Sequence, residues 1–301
     1  MSSESMFDWV EQNCCCCNHD NNVIIGYRGG DAHVSGKGIK CTIVSCSNCG
    51  HIYPNPMPVL VDTNRAYKDA DEYFVNNDPE ERIKEITLIL HQVEKRLGYK
   101  GKLLDVGSGR GELLYAAKKS GWEVQGVETS EEFADYSKKK YDIDVKNCSL
   151  ATAEYPTEHF DVITLRMVME HLYHPEKILE EINRLLKYDG LLWVNAPNEL
   201  SLYNRIGNLY FRTLGKNWVT QLSPTFAPYH VQGFTKNSMR TLLLRTGFKL
   251  EYLDTFNEKL LLPTSGIKQC VEHYAASMIN YVALLTNTAT FMNVFARKIS
   301  A

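Results

Sequence analysis

Two groups of residues in this 301-residue chain have the types and spacing for chemistry. The first is a crowd of thiols: Cys14, Cys15, Cys16, Cys17, Cys41, Cys46 and Cys49 precede residue 50, leaving Cys148 and Cys270 as body residues. Cys14-x-x-Cys17 and Cys46-x-x-Cys49-Gly50 form two knuckles separated by enough chain for a hairpin. Thiolates from such turns surround zinc tetrahedrally, and a shell of four sulfurs leaves no open position, so the metal's role would be structural. Cys15 and Cys16 leave open which pair of the run contributes, Cys41 and His19 are possible substitutes, and reduced thiols without metal are the alternative. The second group is a glycine loop, Asp105-Val106-Gly107-Ser108-Gly109-Arg110-Gly111, set between an apolar run and a helical pattern. Such a loop lets backbone approach a ligand and presents N–H groups at a helix N-terminus. Glu128 follows Asp105 by 23 positions, at the end of the next strand, where a carboxylate accepts hydrogen bonds from both hydroxyls of a ribose. The third glycine comes one residue too early for the Gly-x-Gly-x-x-Gly dinucleotide pattern, which disfavours a pyrophosphate. For the glycines alone, a tight strand-to-helix turn is the structural alternative.

The hydropathy pattern supplies a scaffold for the loop. It predicts strands over Lys102–Val106, Trp122–Val127, Phe160–Leu165 and Leu191–Asn195, and helices over Glu112–Ser120 and Glu131–Lys140. A further helix opens at Pro175, carries Ile178, Ile182, Leu185 and Leu186 on one face, and is followed by Gly190. Strands alternating with helices require right-handed crossovers and give a parallel sheet covered on both faces. Upstream, Pro54, Pro56 and Pro58 mark a boundary. A helix then starts with Asp78 at N-cap, Pro79 at N1 and Glu81 at N3, bears Ile83, Ile86, Leu90, Val93 and Leu97, and closes at Gly98. Downstream, residues 199–234 hold Tyr203, Tyr210, Phe211, Trp218, Phe226, Tyr229 and Phe234; a connection of that length suggests a lid with an aromatic acceptor pocket. Thr235 caps another helix with Met239, Leu242 and Leu243, ended by Gly247. Phe248–Phe256 and Thr290–Lys298 read as strands around a helix near 267–285. The division is 1–60 Cys-rich, 61–98 helical linker and 99–301 the α/β body.

Hydrophobic content of 44% and charged content of 23% describe an ordinary globular chain, and a net charge of −3 provides no cationic field for phosphate backbones. Residues 1–60 carry Arg28, Lys37 and Lys40 against five carboxylates, and four thiolates around one zinc would add two more negative charges, so nucleic acid is an unfavoured partner. Asn280, Thr286, Asn287, Thr288, Thr290 and Asn293 interrupt the apolar stretch 276–297, so no transmembrane segment is expected. Met1–Trp9 lacks a basic region and apolar run, which points to the reducing cytoplasm.

Asp105 to Gly111 and Glu128 resemble the first motif, acidic-x-Gly-x-Gly-x-Gly, and the ribose acid of class I S-adenosylmethionine-dependent methyltransferases. The similarity continues through Phe160-Asp161-Val162-Ile163, Glu170-His171-Leu172, Leu185-Leu186-Lys187-Tyr188-Asp189-Gly190 and Ala196-Pro197-Asn198, with Asp189 where one large subgroup has the first of two glycines. The resemblance implies a Rossmann-like, mostly parallel seven-stranded sheet with helices on both faces, preceded by a small zinc ribbon. It implies S-adenosylmethionine as cofactor, with its ammonium near Asp105, its methionine portion against Gly107, Ser108, Gly109 and Gly111, its ribose on Glu128 beside Thr129, and its adenine near Ser149, Leu150 and Ala151. No acidic residue stands there for the adenine amino group. Arg166 and Met167 close the site from the fourth strand.

The cysteine head followed by Ile52-Tyr53-Pro54-Asn55-Pro56 resembles the zinc ribbon of methyltransferases acting on sugars or other small metabolites, with a structural zinc on Cys14, Cys17, Cys46 and Cys49. Its implied role is substrate docking or homodimer formation. The implied reaction is O-methylation of a small molecule, most specifically a sugar or saccharide-linked intermediate. Removing a hydroxyl proton near neutrality directs attention to histidine: His171 is the first candidate base, with Glu170 beside it, and His230 the second. Glu170 and His171 bracing the loop, and His174 capping the helix at Pro175, are the structural alternatives. Some similar ubiquinone-pathway O-methyltransferases bind magnesium with an extra glutamate before their Glu-His pair; Met167 occupies that position here, so a metal-dependent mechanism is not expected. An RNA methyltransferase docking through its ribbon, and a non-enzymatic cofactor-binding scaffold, are the rival functions.

Overall fold

Turns at the cysteine knuckles and prolines cut the head into short strands: β1 (Phe7–Val10), β2 (Asn22–Arg28), β3 (Cys41–Cys46), β4 (Ile52–Pro54) and β5 (Met57–Leu60). In this computed structural model, which describes residues 6–61, 79–258 and 267–299, β2, β3 and β4 form an antiparallel sheet and β1 pairs antiparallel with β5. The body then alternates as expected: α1 (Pro79–Leu97), β6 (Lys102–Val106), α2 (Glu112–Lys119), β7 (Glu123–Glu128), α3 (Glu131–Tyr141), β8 (Lys146–Asn147), β9 (Phe160–Arg166), α4 (Pro175–Leu185), β10 (Leu186–Pro197), α5 (Leu202–Thr213), α6 (Lys236–Arg245), β11 (Phe248–Phe256), α7 (Ile267–Leu285) and β12 (Phe291–Lys298). The expected N-cap Asp78 and the side chain of Cys270 lie outside the described residues. Among described residues, no helix is long and apolar enough to cross a membrane.

Seven strands form one sheet in the order β11-β12-β10-β9-β6-β7-β8, with β12 antiparallel to both neighbours and the remaining pairs parallel. Side-chain alternation divides the core between the two faces. Leu103, Val162, Trp193 and Phe295 join Ile86, Leu90 and Val93 of α1 on one side. Leu104, Ile163, Leu192 and Val194 join α4 and α6 on the other, and the same cluster includes Cys14, Cys46, Tyr53 and Met57 from the head. The ribbon is therefore packed onto the sheet's helical layer.

Two elements differ from expectation. Leu186, expected on the apolar face of α4, instead opens β10: it pairs with Phe160 of β9, and the register then shifts so that Leu191 meets Val162. Asp189 sits in this irregularity at φ 61°, a left-handed conformation that aspartate tolerates better than most side chains and glycine best. That accounts for a glycine in the similar motif and an aspartate here.

Residues 199–234 are the second difference. They hold α5, capped by Ser201, and then run along the ribbon as a seam, where the sequence suggested a lid. Trp218 bridges to Tyr27 and Gly233 to Ile52. Val219 and Leu222 share a core with Cys41, Ile43 and Ile52, and the Arg28 guanidinium donates to the carbonyls of Leu222 (3.1 Å) and Val219 (3.3 Å). The aromatic side chains accordingly divide: Phe234 is buried, whereas Tyr203 and Tyr210 are exposed.

Candidate functional site

β6 and β7 run parallel in adjacent register, Val106 beside Val127, so their carboxyl ends place the glycine loop next to Glu128. The N–H groups of Gly107 and Ser108 both donate to Val127 O, at 2.9 and 3.1 Å. Gly107 has φ 69°, and a Cβ there would lie 2.6 Å from Val168 Cγ2 on the segment after β9. Glycine is therefore required by both backbone and space. Gly111, at φ 84°, caps α2 while packed against Ser137.

The Glu128 carboxylate is fixed by its surroundings. Oε2 accepts from Gly109 N at 2.8 Å, Oε1 accepts from Ser130 N at 2.9 Å, and Thr129 Oγ1 stands 3.5 Å away. A carboxylate offers about four acceptor positions, so Oε2 retains one for another donor, and on Oε1 a ligand hydroxyl would take the place of the long Thr129 contact. Asp105, buried at the last turn of β6, accepts from Thr164 Oγ1 at 2.5 Å. Burial pushes its carboxyl up to about 7, although the Thr164 bond and nearby Arg166 pull the other way. Arg166 ends β9, its own pKa lowered by burial; Met167 turns the chain at φ 55° and donates its N–H to Asn195 O. Leu150 is buried in a short turn, Leu150–Thr152, beyond β8. These residues stand at the carboxyl ends of β6–β9 or in the turns that follow, the edge at which open α/β sheets bind ligands.

A second cluster follows β9. Val231 N and Gln232 N donate to the Glu170 carbonyl, at 2.9 and 3.0 Å, and this brings His230 to Glu170 and His171. Each histidine places Nε2 4.0 Å from Glu170 Oε1, and the two rings meet edge to face at 4.8 Å. Glu170 is completely buried, and neither carboxyl oxygen has a hydrogen-bond partner. Burial, reinforced by Glu199, raises its pKa to about 8. Burial lowers His171 to about 4 against backbone hydrogen bonds to Tyr229 and Pro228, and lowers His230 to about 3 with His171 adding to the effect. At neutral pH the cluster is thus one neutral carboxylic acid and two neutral imidazoles. His174 occupies the N-cap of α4 without a side-chain cap and stands 3.4 Å from Glu176.

In the ribbon, Cys14 and Cys49 sulfurs are 3.5 Å apart, as are those of Cys17 and Cys46, and all four lie within 4.8 Å of one another. Tetrahedral zinc with bonds of about 2.3 Å separates sulfurs by about 3.8 Å, so the donor set and its geometry fit the ion. Cys41 instead lies in the seam core and His19 beside Asp20. Thr164, Val168 and His51 were missed by sequence reasoning. Only His51, directly after the second knuckle, had a signal in its position.

A family described as "Methyltransferase domain" matches residues 79–253. A ubiquinone biosynthesis O-methyltransferase from Coxiella burnetii (strain Dugway 5J108-111) is 30% identical over 146 residues, covering 44% of this chain and 62% of that protein. The chain thus matches less than two thirds of that relative's length. Among solved structures, a SAM-dependent methyltransferase from Archaeoglobus fulgidus superposes with TM-score 0.52 at 20% identity, over 77% of this chain and 99% of that one. The 1,6-didemethyltoxoflavin-N1-methyltransferase of Burkholderia thailandensis, solved with S-adenosylhomocysteine, gives TM-score 0.50 at 16% identity, over 79% and 85%. At these identities the likeness is one of fold.

Proposed function

Because the chain belongs to the methyltransferase domain family, we propose that it binds S-adenosylmethionine across the Gly107–Gly111 loop and methylates a hydroxyl of a small molecule. The observation that carries this reading is Glu128, held by Gly109 N and Ser130 N with an acceptor position left on Oε2 and only a long, displaceable Thr129 contact besides on Oε1, beside a loop whose glycines cannot be replaced without strain or collision. Bound S-adenosylmethionine supplies an electrophilic methyl on a sulfonium. Glu128 holds the ribose, Asp105 the ammonium, and Gly107, Ser108 and Gly109 allow the methionine portion to lie against backbone. Thr129 and Leu150 flank the nucleoside; Arg166 and Met167 close the floor. Orienting acceptor and methyl supplies much of the acceleration.

His171, with His230 behind it, takes the hydroxyl proton. Both imidazoles are unprotonated at neutral pH, the burial that lowers them also weakens them as bases, and a proton gained there is offset as the sulfonium loses its own charge. The Glu170 carboxyl lies 4.0 Å from each Nε2 and is buried beside the pair. The acceptor class follows from the ribbon, whose sequence resembles those of sugar and small-metabolite enzymes, and the reading is a sugar or saccharide-linked hydroxyl. The ubiquinone-pathway name of the curated relatives supports a phenolic hydroxyl as the second reading. The RNA alternative has little support: Arg28 is committed to the seam and Lys40 to Asp31. We assign the Cys14, Cys17, Cys46, Cys49 shell to a structural zinc, and a zinc-thiolate head suits a reducing compartment such as the cytoplasm.

Two tests arise here. His171→Gln should lower turnover by about a hundredfold or more with cofactor affinity unchanged, measured on a panel of sugar and phenolic hydroxyl acceptors; full activity would remove it as base. Asp105 gives the second. In the free chain its carboxyl titrates near 7, and only the carboxylate attracts an ammonium, so below that pH binding must first displace a proton. S-adenosylhomocysteine should bind about tenfold more tightly at pH 8 than at pH 6, and Asp105→Asn should flatten the dependence. A pH-independent affinity in the parent would contradict the ammonium assignment.

A further inference from the structure

The thiols left out of the four-sulfur shell are themselves gathered. Cys15, Cys16 and His51 bring their ligand atoms within 4.8 Å of one another. Cys15 Sγ lies 3.9 Å from Cys16 Sγ and 3.4 Å from His51 Nε2. Zinc bound tetrahedrally, with bonds of about 2.3 Å to sulfur and about 2.05 Å to nitrogen, separates two sulfurs by about 3.8 Å and sulfur from nitrogen by about 3.6 Å. Both observed separations fall within 0.2 Å of those edges. The Glu170, His171 and His230 group is looser, with 4.0 Å from the carboxyl oxygen to each ring.

Burial sharpens the case. Cys16 and His51 have no exposed surface, and His51 Nδ1 has no hydrogen-bond partner. A free thiol is at home in a core, but an imidazole buried with one nitrogen orphaned carries a desolvation cost that needs compensation. Nε2, not Nδ1, is the nitrogen that faces the thiols, so a metal bond there would anchor the buried ring and leave Nδ1 carrying its proton. The fourth side of the group is closed by Gln232 Oε1, 2.8 Å from His51 Nε2 and 3.5 Å from Cys15 Sγ. Cys16 also touches Cys14 and Cys49, so the second group lies directly against the four-cysteine shell.

We propose that the head binds two zinc ions, the second held by Cys15, Cys16 and His51 beside the four-cysteine shell. The proposal rests on the reading of that shell as a zinc site. The second ion sits where three parts of the chain meet. Gln232 donates its backbone N–H to the Glu170 carbonyl and its side-chain amide to Tyr173 O, and the Arg245 guanidinium donates to the carbonyls of Cys15 and Cys16. It therefore joins the ribbon to the segment bearing Glu170 and His171.

The test is zinc stoichiometry of the full chain, reconstituted with excess zinc, desalted and measured by plasma mass spectrometry. Two ions per chain are expected in the parent, and one in Cys15→Ser and in His51→Gln. One ion in the parent, retained in those variants and lost in Cys46→Ser combined with Cys49→Ser, overturns the second site and leaves the four-cysteine site standing; no zinc in the parent overturns both. Because a variant could fail to fold, the unmodified chain loaded with cadmium-113 is the companion measurement. Two resonances of different thiolate content are expected, and a single all-sulfur resonance overturns the second site.

Discussion

A chain carrying Cys46→Ser together with Cys49→Ser should lose the zinc of the four-cysteine shell, melt at least about 10 °C below the parent, and expose the seam along residues 199–234. The size of the effect follows from the place of the metal ligands: Cys14, Cys46 and Cys49 join the ribbon to the main core beside Tyr53 and Met57, and a second, smaller core lies along the seam. That seam core is Cys41, Ile43 and Ile52, completed by Val219 and Leu222 from the body. A structural zinc contributes about 10–16 kcal/mol of apparent binding free energy in small modules, comparable with the stability of a whole domain. Each kcal/mol lost moves the melting temperature of a chain this large by about 2–4 °C. The sheet should persist, because Leu103, Val162, Trp193 and Phe295 pack with α1 on the face away from the ribbon. Metal analysis and a thermal scan followed by far-ultraviolet circular dichroism check this; an unshifted melting temperature with the four-cysteine zinc gone would show the ribbon to be self-sufficient.

The second large effect is at Glu128. Glu128→Ala removes two charge-assisted hydrogen bonds to a ribose, each worth about 1.5–3 kcal/mol, and releases Gly109 N and Ser130 N, which the carboxylate now orders. Affinity for S-adenosylhomocysteine should fall by a hundredfold or more on the lower of those values. Glu128→Gln, keeping one acceptor oxygen, should fall between. Unchanged affinity by calorimetry would remove the ribose assignment. Glu128 is at a strand end, on the sheet's ligand edge, so stability should change little.

Sequence alone made the sheet legible because its strands are buried on both faces and read as unbroken apolar runs, as at Leu103-Leu104 and Val162-Ile163. The loop was legible because left-handed backbone leaves a glycine at a fixed place. What escaped depends on partners distant in sequence. Leu186 has the apolar character suited to either α4 or β10, and pairing with Phe160 decides for the strand. Aromatic density in 199–234 suggested a lid, but those residues meet a ribbon whose own exposed edge at Tyr27 and Ile52 needs covering. The neighbourhood of His171 and His230 depends on the backbone bonds from Val231 and Gln232 to Glu170, which no spacing encodes. Thr164 reaches Asp105 only because β6 and β9 are adjacent.

The account is tested most directly by a crystal structure of the chain with S-adenosylhomocysteine. It predicts both ribose hydroxyls on the Glu128 carboxylate, the ammonium near Asp105 and the sulfur directed toward His171. A nucleoside placed elsewhere, or no binding at saturating ligand, would contradict it.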